Sequence, residues 1–116
     1  VGFVALSYRA LRDLDDVESY SKKRWGTRVA NKYLKSIESA LILLKNNSSL
    51  LRTRPDLSLH FQLYRVQSHV LVCVVKDKNV FILTISHSSM DIRTRLLELE
   101  PHLLSEAAAL YKKFVA

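Results

Sequence analysis

At 116 residues the chain is long enough for one hydrophobic core and too short for two, so a single domain is expected. Its 48% apolar and 25% charged residues exclude a disordered chain, and the lone Cys73 excludes an internal disulfide framework or a zinc-ligand set. A formal charge of +7 favours acidic partners, either nucleic acid or acidic protein, although the 18 Lys and Arg are spread over nearly every segment.

No apolar stretch approaches the roughly 18 residues that suggest a membrane span, and Val1 to Ala5 is too short for a signal sequence. A cytoplasmic protein with no membrane contact is expected. Because the sequence starts at Val1 and not at Met, a residue or two is expected to be missing ahead of the first strand.

The run from Phe3 to Leu6 predicts a short strand, and Ser7 an N-cap for a helix from Tyr8 to about Arg24. Ala10, Leu14, Val17 and Ser21 keep helical spacing in it, with Leu11 widening the stripe. Asp13, Asp15 and Asp16 lie towards its positive end and Lys22, Lys23 and Arg24 at its negative end, with Glu18 placed to pair with Lys22. Trp25-Gly26-Thr27 predicts a tight junction in which Gly26 turns the chain, Thr27 caps the next helix and Trp25 anchors the hairpin tip in the core. The second helix, about Arg28 to Lys45, carries Ala30, Tyr33, Leu34, Ile37, Leu41 and Leu44 on one face, and Asn46-Asn47-Ser48-Ser49 ends it.

Leu50 to Ser58, with Pro55, predicts a loop. Leu59, Phe61 and Leu63 then alternate with His60, Gln62 and Tyr64 as a strand running to about Val66. Val70 to Val75 is continuously apolar, so both faces of that central strand should be covered, with Cys73 an inert buried thiol. Lys76 to Asn79 supplies a polar turn, and Val80 to Ile85 a further strand. After His87 the spacing of Ile92, Leu96, Leu99, Leu103, Ala107, Leu110 and Phe114 is helical, and Pro101 predicts a break near Glu100. The tail stripe fits packing on the chain's own sheet, on a second copy or on a partner. The expected position is the sheet face opposite the helical hairpin, whose apolar rows otherwise lack cover. The fold class is therefore α+β: an N-terminal strand, an antiparallel helical hairpin, a three-strand antiparallel meander and a C-terminal helical tail.

Four stretches carry a resemblance: Ser7, Ala10, Asp13-Leu14, Val17, Tyr20 and Trp25-Gly26; Ala30, Tyr33-Leu34 and Ile37; Tyr64 to Val70, where an Arg precedes the central strand and a His opens it; and His87-Ser88-Ser89-Met90-Asp91 after Ile82 to Ile85. In order and spacing they resemble the ParE branch of the RelE/ParE superfamily of toxins from bacterial type II toxin–antitoxin modules. The similarity covers about residues 3 to 97. It divides the chain into a toxin domain, residues 1–97, and a C-terminal helical extension of the same domain, residues 98–116. The sequence departs from the pattern at Cys73-Val74, where many relatives carry Tyr-Arg, and in its longer tail.

The resemblance implies a growth-inhibiting toxin, neutralised in a hetero-oligomer by a ParD-like antitoxin, that poisons DNA gyrase. The RelE branch instead cuts messenger RNA on the ribosome, and a protein that only binds its antitoxin is a third possibility. No cofactor, metal or sequence-specific nucleic-acid binding is expected. Metal-free ribonuclease chemistry needs a base, an acid and cations for the phosphorane charge, whereas Val70 to Val75 carries no charged side chain. Candidate target contacts are Arg65 and His69, beside the turn before the central strand, and His87, Met90, Asp91, Arg93 and Arg95 after the last strand. His87 also fits a structural role in setting the Met90-Asp91 turn, and Asp91 an N-cap. Candidate antitoxin contacts are Leu11, Tyr20, Tyr33, Leu110 and Phe114.

Overall fold

The computed structural model describes residues 2–114, so the last two positions of the 98–116 extension lie outside the described residues. The order is β1 (Val4–Leu6), α1 (Tyr8–Trp25), α2 (Thr27–Asn46), a 3-10 turn at Ser48–Leu50, β2 (Arg52–Thr53), β3 (Gln62–Val66), β4 (His69–Lys76), β5 (Asn79–His87) and α3 (Ile92–Phe114). The strands form one sheet in the order β1-β5-β4-β3-β2. β1 runs parallel to β5, and the other pairs are antiparallel. The β4–β5 hairpin closes on Asp77 and Lys78, both at positive φ (52° and 68°), the mirror-image turn that matches strand twist. Gly2 is required where it stands, because a Cβ there would lie 2.0 Å from the Lys78 carbonyl oxygen.

The sheet is covered on both faces. On one side Ala10 and Val17 of α1 and Ile37 and Leu44 of α2 pack on Leu71, Cys73, Ile82 and Ile85. On the other, Leu96, Leu99, Leu103 and Ala107 of α3 pack on Phe61, Val72, Phe81 and Leu83. The tail thus lies on the face opposite the hairpin, as its stripe predicts. Arg9 of α1 clamps it through two hydrogen bonds to Glu106, at 3.0 and 2.9 Å, and the Phe81 and Tyr111 rings meet edge-on at 5.1 Å.

A register shift between Val72 and Cys73 sets Val72 opposite Thr84 and Cys73 opposite Ile82, leaving Leu83 as an extra residue. Ile82 and Ile85, three apart, therefore both reach the hairpin-side core. β1 ends opposite Ile82, and beyond it α1 takes over the β5 edge. The Ser7 hydroxyl donates to the Leu83 carbonyl at 2.8 Å while accepting from the Ala10 amide at 3.1 Å, which makes Ser7 the cap that its sequence position predicts. The Asp13 carboxylate accepts from the Thr84 hydroxyl at 2.6 Å and from the Ile85 amide at 2.9 Å.

Several expectations are corrected. The tail is one helix through Pro101, without the break expected near Glu100. The ring removes only the hydrogen bond to the carbonyl four residues back, at solvent-exposed Leu97, and burial of Leu96, Leu99 and Leu103 holds the axis on the sheet. Thr27 is the first residue of α2 and not its cap; Gly26, at φ 85°, occupies that position with no side chain to offer. Trp25 is 51% exposed and outside the core, its ring edge-on to Tyr20 at 5.9 Å. It ends a helix that overhangs the sheet, so nothing encloses it. The second strand starts at Gln62 and not near Leu59, which is exposed, and the loop before it holds the short strand β2.

Burial of the tail makes Leu103 a stability residue: Leu103→Ala should cost about 2–5 kcal/mol, read as a lower midpoint in urea. Truncation after Glu100 should lower the melting temperature as well, and an unchanged melt would detach α3 from the core. Asp13→Ala strands a buried hydroxyl and an amide and should cost roughly 2 kcal/mol. A loss below about 0.5 kcal/mol, the usual range for a surface substitution, would show that water replaces the carboxylate.

Candidate functional site

With both sheet faces covered, openings remain at the rim. The α1 helix runs across the end of the sheet where β4 begins and β5 ends, leaving a cleft of about 370 Å3. Its walls are Asp13, Asp16, Val17 and Tyr20 of α1, His69 of β4, Ser86 and His87 of β5, and Met90 and Arg95 beyond. His69 and His87 are cross-strand partners whose rings meet edge-on at 5.0 Å.

Hydrogen bonds hold both rings. The Tyr33 oxygen accepts from the Ser68 amide at 3.2 Å and is hydrogen-bonded to His69 Nδ1. His87 Nδ1 accepts from the Ser89 amide at 3.1 Å and faces the Ser89 hydroxyl at 2.7 Å. Nδ1 of each ring is thus engaged within the protein. Burial first, and the neighbouring His87 second, hold His69 below the usual histidine range, so it is neutral near pH 7. Asp13 is committed to Thr84 and Ile85. Arg95 is different: its Nε is buried with no hydrogen-bond partner among the described residues, an unsatisfied donor enclosed in the cleft wall.

Of the candidate target residues, His69, His87, Met90 and Arg95 converge on this cleft. Asp91 does not: it caps α3, accepting from the Thr94 amide at 3.2 Å and the Thr94 hydroxyl at 2.8 Å, bonds that hold its pKa below the ordinary value. Arg65 lies on the α3 side of the sheet in a recess with Arg52 and Arg54, and Arg93 lines a third hollow with Pro55 and Glu100. Of the candidate antitoxin residues, Leu11, Leu110 and Phe114 share a groove of about 350 Å3 between α1 and α3, while Tyr20 lines the histidine cleft and Tyr33 stands behind His69. Sequence reasoning missed Asp13, Arg52 and Arg54. The signal for Asp13 was present, since it interrupts the apolar stripe between Ala10 and Val17.

The depressed His69 pKa has a definite linkage sign. The unfolded chain, with an imidazole of pKa about 6.5, takes up its proton first as the pH falls. Stability present above that value is then lost as the pH drops towards the folded pKa. The melting temperature should fall from pH 7 to pH 5.5, and His69→Gln should flatten the decline. A variant that declines in parallel with the parent would assign the titration elsewhere.

The family model for the ParE toxin of the type II toxin–antitoxin system parDE matches residues 4–92. Toxin ParE1 of Caulobacter vibrioides is 30% identical over 91 residues, covering 78% of this chain and 94% of that protein. Toxin ParE of Escherichia coli is 22% identical over 94 residues, covering 80% and 91%. A structure described as the chromosomal ParDE TA system from P. aeruginosa superposes with a TM-score of 0.65 at 19% identity, over 74% of this chain and 95% of that one, a likeness of fold. The chain therefore belongs to the ParE toxin family of type II toxin–antitoxin systems, and the α+β arrangement of strand, helical pair, meander and terminal helix is the fold of that family.

Proposed function

We propose that this toxin arrests bacterial growth by gripping DNA gyrase and stabilising its cleaved-DNA intermediate, without catalysis of its own, and that a ParD-like antitoxin neutralises it in the cytoplasm. The observation that carries the non-catalytic part is the double cover of the central strand: Leu71, Val72 and Cys73 are fully buried beneath helices on opposite faces. A catalytic floor on that strand has no access to a messenger. What the molecule offers is a rim cleft suited to contact, with His87 and Met90 exposed and Arg95 in its wall.

The antitoxin is assigned to the α1–α3 groove, where Leu11, Leu110 and Phe114 offer apolar area and Arg12 and Lys113 line the same walls. An acidic segment with apolar anchors fits it. The matched family region ends at residue 92, and α3 runs on from Ile92 to Phe114, so residues 98–116 are read as an extension of the same domain that completes this groove.

The ribonuclease alternative draws its support from the Tyr33–His69–His87 contact, which places two imidazoles side by side. Nδ1 of each ring is already engaged within the protein, His69 by Tyr33 and His87 by Ser89, and Asp13 and Asp16 in the same walls repel a phosphodiester. The assay separates all three readings. Purified toxin with gyrase and supercoiled DNA should accumulate cleaved DNA, while a messenger on programmed ribosomes stays whole. The double variant His87→Ala, Met90→Ala should lower the yield of cleaved DNA about tenfold or more, as loss of a hot spot does. Cut messenger would transfer the protein to the RelE activity. Normal growth on induction, with antitoxin binding retained, would reduce it to a binding partner.

A further inference from the structure

The recess that holds Arg65 takes no part in the gyrase and antitoxin contacts proposed for the cleft and the groove. It opens on the α3 side of the sheet, at the β2–β3 edge, with a volume of about 360 Å3. Arg52, Arg54 and Arg65, all exposed, stand around it; Leu63, Val70 and Ile92 are among its apolar walls, and Ser88 closes one side. Arg52 gives a hydrogen bond to the Ser49 carbonyl at 3.3 Å and Arg65 one to the Gln67 carbonyl at 2.8 Å, bonds that orient each guanidinium and leave its remaining donors unused. Arg54 is paired with Asp56, at 3.0 and 2.7 Å.

Charge distinguishes this recess from the others. The histidine cleft includes Asp13 and Asp16, and the α1–α3 groove includes Glu106, whereas no carboxylate lines this one. We propose that it holds the phosphodiester backbone of a nucleic-acid strand, with Arg52 and Arg65 as the phosphate donors, Arg54 beside them held by Asp56, and no reading of base sequence. Guanidinium forks fit phosphate oxygens in pairs. Two with unused donors, in a recess with no carboxylate among its lining residues, match a polymer that carries a charge at every repeat, whereas the carboxylates of a peptide are spaced along alternate side chains. The apolar walls accept sugar and base edges.

The recess also adjoins the histidine cleft. His87 lines the cleft and Ser88 the recess, and the Ser88 amide donates to the Ser68 carbonyl at 2.8 Å, fixing the strand end that divides them. A macromolecule seated in the cleft would bring its own nucleic acid to the arginines. The backbone contact is nevertheless a property of the toxin alone and stands whether or not gyrase is the target.

The test uses the full chain and a fluorescein-labelled 20-mer, as duplex and as single strand, with anisotropy read across a salt series. The triple variant Arg52→Gln, Arg54→Gln, Arg65→Gln is compared with Arg28→Gln, Lys32→Gln, Lys35→Gln on exposed positions of α2, which removes the same charge. The recess variant should weaken binding at least tenfold and reduce the slope of log affinity against log salt by about 2, near 0.9 for each phosphate no longer neutralised. The α2 variant should leave the slope unchanged. Equal losses in the two triples would reduce the effect to net charge and overturn the proposal. Displacement of the DNA by polyglutamate at equal charge concentration would overturn it too, making the recess a seat for an acidic protein. If the recess triple melts early, Arg52→Gln and Arg65→Gln alone decide, each with an expected slope change of about 0.9.

Discussion

The structure depends on how α1 is fastened to the edge of β5. β1 is only three residues long and pairs with β5 no further than Ile82, so the rest of that edge would present bare peptide groups beneath a helix. Ser7 and Asp13 meet this need, one donating to the Leu83 carbonyl and the other accepting from the Ile85 amide. A buried peptide group without a partner costs about 1–3 kcal/mol, so two side chains one helix face apart fix both the height and the rotation of α1. Between them Leu83 is the extra residue of the bulge, and it turns the strand so that Ile82 and Ile85 face the hairpin while Phe81 and Leu83 face α3. The same local irregularity thus divides the apolar side chains between two cores and positions the helix that walls the histidine cleft.

Two-sided cover has a functional consequence. A small sheet with one open face can offer its strands to a substrate, but here α3 fills that face and Arg9 holds it there through Glu106. Contact surfaces are displaced to the rim, where strands end and helices overhang. The histidine pair occupies a strand end for the same reason: His69 opens β4 and His87 closes β5, so the register that builds the sheet also brings two residues 18 apart in sequence side by side.

Much of the architecture was legible from periodicity. The helical pair, the central buried strand and the tail's docking face follow from stripes such as Ala30-Ile37-Leu44 and Leu96-Leu103-Ala107, because burial is what those spacings encode. The errors have local causes. Pro101 suggested a break because proline costs a helix one hydrogen bond, yet packing along the whole of α3 outweighs it. Trp25 suggested a core residue because of its size, but a helix end that projects past the sheet has nothing to enclose it. For the site, His69, His87, Met90 and Arg95 were legible as residues but not as one cleft, since their meeting depends on strand register. The Arg52–Arg54–Arg65 recess was not legible at all, because charges spread over the sequence show no cluster until β2 pairs with β3.

The net positive charge takes on a different meaning once it is placed. Summed over the sequence it says only that acidic partners are favoured, and by the Debye length most of the 18 cations do not act together. The fold sorts them. Arg9 is consumed in holding α3, Arg54 is partly neutralised by Asp56, and Lys22 faces Glu18 at 3.5 Å. Exposed pairs such as the last add little to stability. What remains for recognition is Arg95 in one wall of the cleft, Arg12 and Lys113 beside the apolar groove, and Arg52 with Arg65 in the acid-free recess. Each of these openings combines charge with a different second ingredient: imidazole and thioether in the first, aliphatic and aromatic area in the second, almost none beyond aliphatic walls in the third. On the proposed reading, recognition is decided by what accompanies each cation at the rim, and three openings of one small domain, lined by different side chains, would address partners of different chemistry.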